Sequence, residues 1–79
     1  MTNKPDIFEV EGEVTETLPN LMFRVNVTSG PPEMVGKTIL AKLSGKMKMF
    51  RIRVMLGDNL KLEVSKYDTT KGRITFRSK

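Results

Sequence analysis

Seventy-nine residues, 38% of them hydrophobic, are enough for one domain with one small core. The chain has no Cys and no His, which excludes disulfides, thiolate metal sites and the Ser/His and Cys/His nucleophile systems. Its net charge of +5 is unevenly spread: residues 1–35 sum to −4 and residues 36–79 to +9. An acidic part and a basic part are therefore expected, the basic one attracting phosphate and the acidic one repelling it. No apolar run approaches the roughly 20 residues of a membrane span. The N-terminus lacks a basic-then-apolar signal pattern, so secretion is not expected. A core of this size leaves roughly 3–5 kcal/mol of net stability.

Taken in order, residues 1–6 have turn composition, with Pro5 and Asp6, and predict a mobile tail. Phe8, Val10, Gly12 and Val14 then alternate with Glu9, Glu11 and Glu13, the period of a half-buried strand. Gly12 in its middle predicts a bend or bulge. Pro19-Asn20 is a turn. Phe23, Val25 and Val27 make a second strand paired to the first. Thr28 to Gly36, with Ser-Gly-Pro-Pro and a further Gly, predicts a loop. Ile39, Ala41 and Leu43 form strand three, with Thr38 and Lys42 outward and Leu40 on the exposed side. The stretch Ser44–Val54 carries both periods. Leu43, Met47, Phe50 and Val54 fall at helical spacing; Phe50, Ile52, Val54 and Leu56 fall at strand spacing. One short helical turn at about 44–49, running into an extended segment, accommodates both. Gly57-Asp58 is a turn, and Leu60, Leu62 and Val64 make strand four. Tyr67 to Gly72 reads as a polar loop, and Ile74 and Phe76 as the inward residues of strand five. Leu18 and Ile52 complete the expected core.

Five strands with a helical connector between the third and fourth is the order of the small Greek-key barrel known as the OB-fold. Closure also removes exposed strand edges from so short a chain. An SH3-like barrel has a similar strand count but not this connector. The expected organisation is a tail over 1–6 and one all-β, RNA-binding domain over 7–79.

Gly30–Thr38 approaches a phosphate-binding P-loop and fails it. Five residues separate the glycines instead of four, two are prolines without N–H groups, and a strand follows where a helix is required. Glu9, Glu11 and Glu13 share a face at about 7 Å spacing, and an outward solvated face explains them better than paired acid–base catalysis. The basic set is the stronger candidate. Lys42, Lys46, Lys48, Arg51 and Arg53 lie in or beside the central stretch, and Lys71, Arg73 and Arg77 near the C-terminus. On an OB-fold these would track phosphates, with Tyr67, Phe50 or Met49 packing on splayed bases. With only four Phe and one Tyr in the chain, recognition of folded RNA by backbone and shape is favoured over stacking of many single-stranded bases.

Several segments together resemble the bacterial translation initiation factor one family. They are Glu11-Gly12-Glu13-Val14, Glu16-Thr17-Leu18-Pro19-Asn20, Met22-Phe23-Arg24-Val25, Leu43-Ser44-Gly45-Lys46-Met47-Lys48, Ile52-Arg53-Val54, Gly57-Asp58, Tyr67-Asp68, Lys71-Gly72-Arg73-Ile74 and Phe76-Arg77. They span residues 7–79 in the family's order. The resemblance implies a non-enzymatic, cofactor-free, cytoplasmic monomer. Such a protein binds ribosomal RNA and a neighbouring ribosomal protein at the decoding (A-site) region of the small ribosomal subunit, acting with initiation factors two and three. It implies that Ser44, Gly45, Lys46 and Lys48 lie against RNA and that Arg53, Lys71, Arg73 and Arg77 add phosphate contacts, with Tyr67 at the rim. A general cold-shock-type RNA chaperone on the same fold is the alternative. The chain departs from the family pattern in a longer Thr28–Thr38 loop, in Phe50 shifted by one position, and in Lys66 where proline is usual.

Overall fold

A computed structural model describes residues 6–50 and 52–77. The strands are β1 (Ile7–Leu18), β2 (Met22–Ser29), β3 (Thr38–Leu43), β4 (Asn59–Ser65) and β5 (Asp68–Arg77), with the helix α1 (Gly45–Met49) between β3 and β4. They close into a barrel in the order β1-β2-β3-β5-β4. All pairings are antiparallel except β3 with β5, which run parallel. This is the expected OB-fold. The expected tail lies, but for Asp6, outside the described residues; the Asp6 carbonyl accepts the Lys66 N–H at 2.8 Å.

Period-two alternation builds the core. Val10, Val14, Val25, Val27, Ile39, Ala41, Leu60, Leu62, Val64 and Ile74 are all buried, and Phe8 and Ile52 pack against them. β1 bends where expected: its register with β2 shifts between Glu11 and Gly12. A Cβ at Gly12 would lie 2.5 Å from Val25 Cγ1 and 2.7 Å from the Asn26 carbonyl oxygen. The bend thus brings two backbones closer than any side chain allows.

Two methionines close the barrel. Met34, in the loop between β2 and β3, is fully buried, although the sequence pattern there predicts no core residue. The loop folds back on itself, with Val27 N–H donating to the Lys37 carbonyl and Gly36 N–H to the Val27 carbonyl. Met47 of α1 is buried to nearly the same degree. The loop enters β3 and α1 leaves it, so the two plugs sit at opposite ends of that strand.

Three expectations are corrected. Phe76 is 55% exposed, not core. The β4–β5 register slips between Lys61 and Leu62, so Thr75 bulges and Phe76 turns outward, beneath the Lys61 Nζ at 5.7 Å. Leu18 is only half-buried, at the end of the β1–β2 hairpin beyond the barrel wall. β5 begins at Asp68 rather than near Arg73, although a second register slip between Val64 and Ser65 leaves Thr69–Lys71 without β4 partners. Residues 52–55, expected only as a segment running on from the helical turn, join no strand ladder. They are held instead by Ile52 N–H donating to the Met47 carbonyl and by Gly57 N–H donating to the Val14 carbonyl.

Candidate nucleic-acid interface

The parallel seam between β3 and β5 assembles the basic residues. Its register places Lys42 opposite Arg73 and Leu40 opposite Lys71. Directly opposed residues share a face, so cations from positions 42, 71 and 73 meet on one outer surface despite their separation in sequence. Between Lys71 and Arg73, Gly72 faces inward, where a Cβ would lie 3.0 Å from Ile39 Cδ1 and 3.2 Å from Val64 Cγ2. Shallow depressions of about 280 and 300 Å³ flank Gly72, the first lined by Met22, Leu40, Lys42 and Lys71, the second by Ile7, Lys42, Glu63 and Arg73. Met22 is an apolar contributor that strand alternation beside Phe23 could have disclosed.

The sign of the surface changes at β4. Glu63 lies opposite Arg73 on one side and opposite Glu9 on the other. Beyond it, β1 presents Glu9, Glu11 and Glu13, all exposed. These carboxylates form no metal-holding group among the described residues. An approaching polyanion is drawn to β3–β5 and repelled from β1.

The connector continues the basic surface past the end of β3. Ser44 is the helix N-cap, its Oγ accepting the Met47 N–H at 3.2 Å and its own N–H donating to the Ile74 carbonyl at 3.0 Å. Ser44 is buried: its side chain caps α1 and its backbone N–H ties the cap to β5, so the hydroxyl is not presented outward. Each helical residue turns by about 100°, so with Met47 pointing inward, Lys46 and Lys48 flank it on two exposed sides. Gly45 is exposed, and a Cβ there would meet nothing within 4 Å. Packing therefore does not demand a glycine at 45, and the bare backbone is open to close approach by a ligand.

Lys48 and Arg53 rim an apolar groove of about 400 Å³ floored by Phe23, Leu43, Met47, Ile52 and Val54, with Leu21 at its edge. Leu21 and Asn20 both have left-handed backbone, with φ of 58° and 63°. Phe50 is 62% exposed and ends the helix, so neither of its two apparent periodicities places it in the core. Arg51 lies outside the described residues. Tyr67 sits at the β4–β5 turn, 82% exposed, at the end of β5 away from α1. Beside it, hydrogen bonds from the Thr70 hydroxyl and N–H hold the Asp68 carboxyl below its usual pKa.

Arg77 differs from the other cations. Its Nη1 donates to the Arg53 carbonyl at 2.8 Å and lies 3.8 Å from Asp58 Oδ2. The seam thus brings together Lys42, Lys71 and Arg73; α1 adds Lys46 and Lys48; Arg53 stands at the groove; Tyr67 and Arg77 are set apart.

Known proteins share this architecture. The family model for translation initiation factor 1A / IF-1 matches residues 1–79, the whole chain. The solution structure of translation initiation factor one from the Wolbachia endosymbiont strain TRS of Brugia malayi is 39% identical and has a TM-score of 0.71, the match covering 95% of this chain and 82% of that one. The crystal structure of YjeQ from Thermotoga maritima is 25% identical with a TM-score of 0.67; the match covers 90% of this chain but only 23% of that larger protein. The match to the family over every residue, and to a bacterial member over nearly the whole barrel, shows that this chain belongs to the translation initiation factor 1A / IF-1 family.

Proposed function

We propose that this initiation factor binds ribosomal RNA at the decoding (A-site) region of the small ribosomal subunit, occupying the site during initiation complex assembly in concert with initiation factors two and three. The observation that carries the reading is the parallel β3–β5 seam, which sets Lys42 beside Arg73 and next to Lys71 in a row that Lys46 and Lys48 extend. Phosphates on a folded RNA would lie along this row, with Arg53 at one end and Tyr67 near the other. The role is occupancy rather than catalysis, exercised in the cytoplasm by a single copy of the chain.

A cold-shock-type chaperone would need aromatics on the outer faces of β2 and β3. Those faces carry Met22, Arg24, Asn26, Thr38, Leu40 and Lys42, while Phe23 is buried. Stacking on successive bases has no platform there.

The test is chemical footprinting of small-subunit RNA with and without the protein. Protection confined to decoding-site nucleotides is expected, with affinity falling with salt at a log–log slope of roughly −0.7 to −0.9 per phosphate neutralised. Salt-independent binding, or equal affinity for unstructured RNA, would refute the proposal.

A further inference from the structure

Arg77 ends β5 without continuing its basic row. In a regular strand, Lys71, Arg73, Thr75 and Arg77 would share one face. The bulge at Thr75 breaks that parity. Phe76 pairs with Lys61 on the outside, and Arg77 pairs with Leu60, whose side chain is wholly core. Arg77 is thereby turned from the face that carries Arg73 toward the barrel end.

There it meets a segment with little regular structure. Its Nη1 donates to the Arg53 carbonyl at 2.8 Å and lies 3.8 Å from Asp58 Oδ2. The same Oδ2 accepts the Met55 N–H at 2.8 Å, and the Asp58 N–H donates back to the Met55 carbonyl at 3.0 Å. The Asp58 carbonyl accepts the Val14 N–H at 3.0 Å, which ties the turn to β1. With side chains 40% and 20% exposed, Arg77 and Asp58 sit where screening is partial. Residues 52–55 have no strand partners to fix them, so these bonds hold the backbone beneath Arg53.

We infer that Arg77 is a positioning residue: through the Arg53 carbonyl and Asp58 it fixes segment 52–58, and with it the place where Arg53 and the Lys48-rimmed groove present themselves to RNA. This rests on the RNA-binding reading above. Arg77 is the brace of that end of the interface rather than one more phosphate contact.

The discriminating variant is Asp58→Ala, which makes the protein more positive by one charge. Charge alone predicts tighter binding to RNA. A broken brace predicts weaker binding, by about tenfold, as befits loss of a charge-assisted hydrogen bond. Arg77→Lys is the companion: it keeps the charge but replaces the rigid guanidinium, whose Nη1 meets both the Arg53 carbonyl and Asp58, with a flexible ammonium. Small-subunit affinity is measured for both variants and for Arg77→Gln, with amide exchange at Met55 followed in the free proteins and folding checked by thermal melting. Weakened binding by Asp58→Ala, equal losses for Arg77→Lys and Arg77→Gln, and faster Met55 exchange are expected. Unchanged or tighter binding by Asp58→Ala, or full rescue by Arg77→Lys, would overturn the inference. Should Asp58→Ala melt below the assay temperature, the two Arg77 variants decide. If the wild-type protein binds no subunits, the RNA reading fails, and Met55 exchange alone judges whether the brace exists: unaltered exchange in the Arg77 variants would overturn it.

Discussion

Met47 and Lys46 are neighbours with opposite duties, and Met47→Ala separates them. Met47 is 1% exposed and plugs the α1 end of the barrel against the groove floor. Alanine is the best helix former, so the substitution does not weaken α1 through propensity. It removes Cγ, Sδ and Cε from a site that the surrounding strands cannot collapse into, because their positions are fixed by ladder bonds on both sides. Buried Met→Ala changes cost about 2–5 kcal/mol. A core of this size holds only roughly 3–5 kcal/mol in reserve, so the variant is expected near the edge of folding. At about 4–8 °C per kcal/mol for a domain of this length, the melting temperature should fall by roughly 10 °C or more. Thermal and urea unfolding followed by far-UV circular dichroism measure this directly. A fall of less than about 4 °C would correspond to under about 1 kcal/mol, and would refute the assignment of Met47 as a plug.

The remaining expectations concern other parts of the barrel. Lys46→Glu and Arg73→Glu should each weaken small-subunit binding several-fold while leaving the melting temperature within a few degrees, since both side chains are exposed; loss of folding would mean that structural residues have been mistaken for contacts. Gly12→Ala should destabilise by about 1–3 kcal/mol through overpacking, because its Cβ would collide with Val25 and the Asn26 carbonyl; a neutral urea midpoint would contradict the close approach. Asp68 should titrate below the usual carboxylate range, chiefly because of the Thr70 hydroxyl and N–H. Since the folded form has the lower pKa, its stabilising contribution is present above the ordinary Asp range and lost as pH falls below it. Thr70→Val should raise the Asp68 pKa in an NMR titration, and an unmoved value would discount the hydroxyl.

The OB-fold was legible in the sequence because period-two alternation is a local property. Val10 and Val14, Val25 and Val27, Leu60 and Leu62 each declare an inward face without reference to any other strand. The same locality explains the errors. Phe76 continues the alternation of Ile74, and only the pairing with β4 reveals the bulge that turns it outward. Met34 lies among prolines and glycines, and nothing in that stretch tells that the loop folds back under the barrel.

The candidate interface divides in the same way. Charge asymmetry, the Ser44–Lys48 connector and the helical turn could be read from residue order alone, since they depend on composition and on contacts within one turn. Which cations stand together could not. Lys42 and Arg73 are neighbours only through the parallel register of β3 and β5, and Arg77 leaves their company only because Thr75 bulges. Sequence determined that this protein is a small, basic, closed barrel free of Cys and His chemistry. Tertiary structure alone decided which of its cations face a partner and which brace the fold, because strand register, and not spacing along the chain, sets the face on which a side chain emerges.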